Sequence, residues 1–368
     1  MFDFIPPRDY SDVYMNLTLG IVLLTIVHSY VLNIYDSKNI SFINAIGYIL
    51  LVFLILYLGT RPISGVFGDT VNYNKAFEKY MLGGSIPNNE GDYGWHVFMK
   101  FMSHFMNIHG FFTICAFLYI YPLYAISKNL FNHYWYYAFL LFVVSFSFFT
   151  YGVNGVRNGA ALSIFLWGLC YRDKKIIMAV FFLIATLFHK TALLPILAYT
   201  ATFFYNNPKI YFKAWLACIP LSLVLGSAFV ILFTSLGFGD DRLNAYLTAT
   251  TDADTFASTG FRWDFLFHSA FAVFAGWYFI YKKNFEDKFY YQLLNTYLIC
   301  NGFWILVIKA NFSNRFAYLS WFMMALVIVY PFLKQVFFKH QYIILGNVIL
   351  LYFGFTYFMN YIYYAYIR

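Results

Sequence analysis

The sequence carries little charge and few cysteines, and these two shortages narrow the class of protein. Charged residues make up 11% of the 368 residues, whereas a soluble domain carries about a quarter. No stretch of fifty or more residues is polar enough to form a soluble domain. The cysteines stand singly within apolar runs, so we expect small core residues rather than disulfides or metal ligands. They are Cys115, Cys170, Cys218 and Cys300.

The sequence motifs of nucleotide and metal chemistry are also missing. There is no phosphate-binding P-loop, no GxSxG, no HExxH and no cluster with metal-ligand spacing. This disfavours an ATP-driven machine and a zinc protease, and we expect neither a cofactor nor a metal. The net charge of +8 does not indicate a nucleic-acid partner, because the basic residues lie in loops and form no basic face.

What the sequence has in abundance is apolar and aromatic residues, at 62% and 24%, with a mean hydropathy of +0.63. Apolar runs near twenty residues recur, which indicates an all-α polytopic integral membrane protein rather than a barrel. We predict twelve transmembrane helices. Their approximate bounds are 12–34, 41–60, 110–128, 134–152, 155–171, 175–190, 191–207, 211–234, 263–281, 288–309, 315–333 and 341–366.

Alternate loops between these segments are short and rich in Lys, which is typical of cytoplasmic loops and places both termini outside. The weakest assignment is 176–207, which contains no loop. It is either two short helices that turn at His189-Lys190 or one tilted helix. We favour the turn, because a single helix would put all later Lys-rich loops outside.

We treat residues 1–368 as a single transmembrane domain with two long outer loops, 61–109 and 235–262, that contribute to the site. In the first loop, apolar residues at helical spacing predict an amphipathic helix on the outer surface. These are Trp95, Phe98, Met99, Met102, Phe105 and Met106. The second loop is polar, and a polar loop of this length is often functional. Its charged residues include Asp240, Asp241, Arg242, Asp252 and Asp254.

Three arginines are predicted at outer helix ends: Arg157, Arg262 and Arg315. The planar guanidinium matches phosphate oxygens and stays charged, so three that converge would suit a lipid bearing a diphosphate. For any one of them the alternative is a cation that snorkels to the membrane interface.

Several other residues are candidates for proton transfer or contact with a sugar. His189 follows an apolar run, and it is either a general base or a hydrogen-bond donor to phosphate, or an interfacial residue that anchors a helix end. Asp69 lies four residues before Tyr73, and it either accepts a proton from a sugar hydroxyl or caps the following helix. Asp92 and Asp264 are weaker candidates of the same kind. Aromatic residues near the outer loops could stack on sugar rings, and they include Tyr73 and Trp95.

Several motifs occur in an order that resembles a known family. They are Asp69 with Tyr73, DYGW, VRNGAALSIF, LFHKTALLPI, GFRWDF and NRFAYLSWF, over roughly 41–335. Together they resemble the EpsG family of bacterial membrane proteins, whose members are similar to Wzy-type polysaccharide polymerases. The family typically has Arg-Gln where this chain has Arg157-Asn158, and His-x-Ser-Ala where this chain has His189-Lys190-Thr191-Ala192. Both departures keep the cation and a small hydroxyl or amide residue.

The resemblance implies a glycosyltransferase that polymerises an exported polysaccharide, such as exopolysaccharide, capsule or O-antigen. Such an enzyme moves a growing glycan from one undecaprenyl diphosphate to the terminal sugar of another lipid-linked repeat unit, without a metal. It would span the bacterial cytoplasmic (inner) membrane many times, with its active site facing the periplasm or cell exterior. Its partners would be these lipid-linked oligosaccharides and the lipid bilayer, with a chain-length regulator and export proteins as further candidates.

On this basis we assign catalytic roles to Asp69, His189 and Arg157. We assign substrate binding to Arg262, Arg315, Tyr73, Lys190, Trp95 and Asn158. Three other classes remain open: a flippase for lipid-linked oligosaccharide, a membrane acyltransferase that uses a buried His, and a structural subunit of an export complex. No two-fold internal repeat supports the flippase.

Overall fold

The computed structural model describes residues 2, 4–33, 36–87, 92–235, 260–310 and 313–363, and in these ranges every regular element is a helix. The charged residues of the second predicted outer loop, Asp240, Asp241, Arg242, Asp252 and Asp254, lie outside the described residues. The α-helices are α1 (Tyr10–Val31), α2 (Ser37–Gly59), α3 (Thr70–Met81), α4 (Tyr93–Met102), α5 (Ile108–Phe131), α6 (Trp135–Val143), α7 (Phe148–Val153), α8 (Val156–Leu169), α9 (Lys175–Phe188), α10 (Leu193–Phe204), α11 (Pro208–Ser235), α12 (Trp263–Trp277), α13 (Lys288–Leu306), α14 (Ser313–Trp321), α15 (Met324–Lys334) and α16 (Gln341–Phe358).

Six helical segments of the described residues are long and apolar enough to cross a membrane. This supports the prediction of a polytopic helical membrane protein. The segments are Pro7–Val31, Ser37–Gly59, Ile108–Val143, Pro208–Leu232, Ser313–Lys334 and Gln341–Tyr363.

The other predicted spans are also helical but shorter or more polar, so their crossing of the membrane stays a prediction. At 1.5 Å per residue, the 14 residues of α8 extend about 21 Å, less than the roughly 30 Å of a hydrocarbon core. The helix break predicted at His189-Lys190 is present. Helix α9 ends at Phe188, and His189 has an extended backbone with φ −156° and ψ 121°.

The contacts divide the described chain into two compact units. The first comprises the described residues of Met1–Ala192 and Phe332–Ile362, and the second comprises those of Leu193–Pro331 together with Tyr363. Each unit has its own packed helices and its own polar residues.

In the first unit, α5 packs against α2 and α8, and α8 packs against α9. The connection from α7 into α8 is tight because of Gly159. A Cβ at this position would lie 2.6 Å from the carbonyl oxygen of Tyr151 and 3.2 Å from the ring of Tyr119. This close approach fixes the first turn of α8, which carries Arg157 and Asn158.

The second unit is centred on α13, which packs against α10, α11 and α14. A buried polar network joins four of its helices. The Asn301 side chain donates to the hydroxyls of Ser269 and Ser320, each at 3.0 Å, and accepts from the Trp215 indole N–H at 2.7 Å. A buried polar group is costly unless it is hydrogen-bonded, so this network specifies how the helices pack.

The amphipathic helix predicted in the first loop is present as α4, and it ends at Met102, before Phe105 and Met106. Its residues Trp95 and Met99 are completely buried within the first unit. The apolar face of α4 therefore packs at least partly on protein, and its location on the outer surface of a membrane stays a prediction.

Candidate functional site

Four side chains and one backbone N–H of the first unit meet around Asp92, which directly precedes α4. One carboxylate oxygen of Asp92 accepts from Arg157 Nη1 at 3.1 Å and lies 3.8 Å from His189 Nε2. The other oxygen accepts from the backbone N–H of Lys190 at 3.2 Å. Through these contacts the Asp92 carboxylate joins the start of α4 to the start of α8 and the end of α9. Its side chain is only 8% exposed, so the carboxylate is largely desolvated. The fourth side chain is that of Tyr73, which contacts Arg157.

Arg157 links this carboxylate to α3. Its Nε donates to the Tyr73 hydroxyl at 3.2 Å, and its guanidinium carbon lies 5.8 Å from the centroid of the Tyr73 ring. Burial raises the pKa of Tyr73; the Arg157 charge opposes this rise and the Asp69 charge adds to it. The phenol therefore stays protonated at neutral pH, and it can donate its own proton while it accepts from Arg157.

The turn after α9 determines how His189 is oriented. The backbone N–H of Thr191 donates to His189 Nδ1 at 3.3 Å, and the Thr191 hydroxyl lies 2.8 Å from the same nitrogen and 3.4 Å from Asn158 Oδ1. A backbone N–H can only donate, so Nδ1 acts as an acceptor. The imidazole proton therefore lies on Nε2, which faces Asp92.

Asp69 is held next to this cluster by a contact across the chain. Its backbone N–H donates to Asn154 Oδ1 at 3.1 Å, and Asn154 lies just before α8. Gly68 makes the approach possible: it has φ +58°, and a Cβ there would overlap Asn154 Oδ1. The Asp69 side chain makes no capping hydrogen bond to α3. The described residues therefore show no side-chain capping by Asp69, and its role as a proton acceptor stays a prediction.

Arg61 was not among the predicted site residues, and the structure shows that it supports the site. It is 1% exposed, and it donates to the carbonyls of Leu58 and Val153 and to the Thr70 hydroxyl, at 2.6, 3.3 and 3.2 Å. Burial lowers its pKa to about 10, so it remains protonated at neutral pH. Arg61 thus joins the ends of α2 and α7 to the start of α3. Its only signal in the sequence is a cation directly after the second apolar run.

Trp95 lies behind the cluster and not at its surface. Its side chain has no exposed area, and its ring centroid lies 5.6 Å from those of Tyr73, Phe111 and Phe188. A ring enclosed by other aromatic rings cannot stack on a sugar. We therefore correct the predicted role of Trp95: it supports Tyr73 instead of contacting the substrate.

The remaining predicted arginines belong to the second unit. Arg262 precedes α12 and donates from Nε and Nη2 to both carboxylate oxygens of Asp264, at 2.9 and 2.6 Å, while its guanidinium carbon lies 3.5 Å from the ring centroid of Phe265. Arg315 is an exposed residue in the first turn of α14. The structure brings Arg157, His189, Tyr73 and Asn158 together, with Lys190 adjacent. The convergence of the three arginines stays a prediction.

Comparison with known proteins matches the chain to a family model. The model of the EpsG family matches residues 44–367. No curated protein and no solved structure matches the chain. The matched range contains the Asp92 cluster, Asp69 and both Arg262 and Arg315, so the family resemblance noted in the sequence is confirmed over nearly the whole chain. This protein belongs to the EpsG family.

Proposed function

We propose that this protein is a polysaccharide polymerase that joins undecaprenyl-diphosphate-linked oligosaccharide repeat units at the outer face of the cytoplasmic membrane. Family membership supports a polymerase-like role in general. The single observation that supports the specific reaction is the cluster around Asp92, in which a cation, an imidazole and a phenol meet and the charge of Asp69 acts on the phenol of Tyr73.

The donor in this proposal is a growing glycan on its lipid diphosphate, and the acceptor is the terminal sugar of a second lipid-linked unit. An acceptor hydroxyl oxygen bonds to the anomeric carbon of the donor while the bond from that carbon to the diphosphate oxygen breaks. The hydroxyl proton passes to a base on the protein, and the electron pair of the broken bond leaves with the diphosphate.

Arg157 is suited to stabilise the leaving group, because it is fixed in the first turn of α8, where the helix dipole also favours an anion. It is 19% exposed in the ion pair with Asp92, so the guanidinium is accessible from one side. A positioned donor of this type contributes roughly 10²–10³ to the rate of such a reaction. Arg262, Arg315 and Lys190 are proposed to bind the lipid-linked substrates.

We assign the base to Asp69 in preference to His189. The Nδ1 of His189 already accepts from Thr191, and its Nε2 proton faces Asp92, so the neutral imidazole has no lone pair left for a sugar hydroxyl. The Asp69 carboxylate has no such hydrogen bond among the described residues. In this arrangement His189 and Asn158 orient the loop around Asp92, and Tyr73 contacts the sugar.

The experiment is extraction and sizing of lipid-linked glycans from cells that lack the protein and from cells complemented with single variants. Loss of long polymer together with accumulation of one repeat unit on the lipid supports a polymerase. A repeat unit that stays on the inner leaflet instead indicates a flippase. Polymer of normal length that lacks only a substituent indicates an acyltransferase.

Arg172 provides a matched control for Arg157. Arg172 lies at the other end of α8, where it donates to Asn129 Oδ1 at 2.8 Å. Arg157→Ala is expected to accumulate single repeat units, and Arg172→Ala is expected to leave polymer length unchanged. Normal polymer in cells with Arg157→Ala would contradict the proposal.

A further inference from the structure

The second unit contains a groove between α11 and α12, and none of its lining residues belongs to the proposed polymerase site. Its volume is about 600 Å³. Apart from two lysines, its wall consists of apolar and aromatic side chains. Trp215 is a buried residue of this wall, and its indole N–H donates to Asn301 at 2.7 Å, which fixes that part of the wall.

Positive charge is concentrated at one end of the groove. Lys209 and Lys213 are four residues apart on α11, hence on the same face, and both line the groove. At the same end Lys282 lies 5.5 Å from the ring centroid of Trp277, and the rings of Phe212 and Tyr281 lie 6.0 Å apart. None of the three lysines forms a salt bridge with a described residue.

The length of the apolar wall matches one leaflet of a bilayer. From Ala270 to Tyr281 the wall follows α12 and the π-helical turn after it over 12 residues, and the 11 steps between them rise roughly 16 Å at 1.5 Å per residue. Half of a hydrocarbon core of about 30 Å is roughly 15 Å. One acyl chain can therefore lie along the wall with its headgroup at the lysines.

We propose that this groove binds an anionic phospholipid of the cytoplasmic leaflet, with the phosphate at Lys209 and Lys213 and one acyl chain along α12. Two observations select this occupant: the lysines have no carboxylate partner among the described residues, and an apolar wall extends away from them by the depth of one leaflet. Both lysines lie in the first two turns of α11, at the end of the helix that the distribution of charge predicts to be cytoplasmic, where anionic headgroups attract basic residues. The Trp277 and Tyr281 rings at the same end are typical of an interfacial position.

The test uses the purified full-length protein and native mass spectrometry, with phosphatidylglycerol and phosphatidylcholine of the same chain length as probes. We expect the protein to bind phosphatidylglycerol about five- to twentyfold more tightly than phosphatidylcholine, from roughly fivefold per lysine near a headgroup. Lys209→Gln together with Lys213→Gln is expected to abolish this preference. Lys174→Gln with Lys175→Gln removes the same charge from the exposed start of α9, and this double variant is expected to preserve the preference for phosphatidylglycerol.

A second pair of variants tests the apolar wall. Ala270→Trp fills the groove and is expected to lower phosphatidylglycerol binding while both lysines remain. Phe267→Trp is the control, since Phe267 is an exposed residue of the same helix that does not line the groove. If Ala270→Trp does not fold, the lysine variants alone decide.

Three results would overturn the proposal. One is an unchanged preference after both groove lysines are replaced, and another is equal binding of the two phospholipids by the unmodified protein. The third is displacement of phosphatidylglycerol by undecaprenyl phosphate at tenfold lower concentration, which would assign the groove to the carrier lipid. None of these results bears on polymer synthesis, so this inference and the proposed function fail independently.

Discussion

Arg157 and Arg262 both pair with an aspartate, but the two pairs are built in different ways. Arg262 reaches Asp264 two residues along the chain, and both carboxylate oxygens accept from it. Arg157 reaches Asp92, which lies 65 residues away, with a single hydrogen bond.

This difference shows which of the two arginine–aspartate pairs depends on the tertiary structure. A pair between near neighbours forms wherever the local backbone is ordered, and its bidentate geometry neutralises most of the charge of Arg262. The pair of Arg157 exists only when α4, α8 and α9 are packed, and the same carboxylate also serves His189 and the Lys190 N–H. We infer that the guanidinium of Arg157 is held by a tertiary contact with Asp92, and that a bound diphosphate could rearrange this contact.

The largest effect is expected from removing the cation of the tertiary pair. Arg157→Ala is expected to lower the rate of polymer synthesis by roughly 10²–10³, the value for loss of one positioned donor to a developing anion. Arg262→Ala is expected to lower it by about tenfold, as for one charge-assisted hydrogen bond. The measurement is incorporation of labelled repeat units into polymer by isolated membranes. Equal effects of the two substitutions would remove the distinction between the pairs.

A somewhat smaller effect is expected from changing the proposed base. Asp69→Asn is expected to reduce polymer synthesis by about 10², because the amide cannot take the proton of the acceptor hydroxyl. His189→Gln is expected to reduce it by less than about tenfold, since the glutamine amide can still donate toward Asp92. Both rates are compared in the same membrane assay. The reverse order of effects would assign the base to His189.

The two aspartates are expected to differ in their effect on stability. Asp92→Ala leaves Arg157 without its carboxylate in a largely desolvated site, and it should lower the free energy of unfolding by about 3 kcal/mol. Asp264→Ala removes a local partner only and should cost about 1 kcal/mol. Denaturant titration of the purified variants in one detergent gives both values. A smaller loss for Asp92→Ala than for Asp264→Ala would show that Asp92 does not hold the helices together.

The smallest effect on activity is expected at Trp95. Trp95→Phe keeps an aromatic ring in the pocket, and the lost indole N–H has no hydrogen-bond partner among the described residues. We expect polymer synthesis within about twofold of the unmodified protein, since packing and not the indole N–H supports Tyr73. Tyr73→Phe removes the hydroxyl that Arg157 contacts and is expected to reduce synthesis by about tenfold. A large loss with Trp95→Phe and none with Tyr73→Phe would restore the sugar contact predicted for Trp95.

The fold and part of the candidate site could be predicted from the sequence because local patterns of residues indicate them. Apolar runs indicate the membrane helices, and the break at His189-Lys190 separates two such runs. Arg157 and His189 were recognisable because a charged or titratable residue at the end of an apolar run is unusual.

The role of Asp92 could not be predicted, because its partners lie 65 to 98 residues away and no spacing rule connects them. The same holds for Asn154, which holds Asp69 from 85 residues away. For Trp95, by contrast, the sequence suggested a contact that its burial in the structure does not allow. An aromatic residue in an outer loop suggested sugar stacking, but its burial depends on how α4 packs, which periodicity alone does not reveal.

The most direct test of the account is the size of lipid-linked glycans in cells that carry Arg157→Lys in place of the unmodified protein. Lysine keeps the charge but loses the planar fork that contacts Asp92 and Tyr73 together. The account predicts accumulation of single repeat units on the lipid and loss of long polymer, with Arg172→Lys indistinguishable from the parent. Polymer of normal length in cells with Arg157→Lys would contradict it.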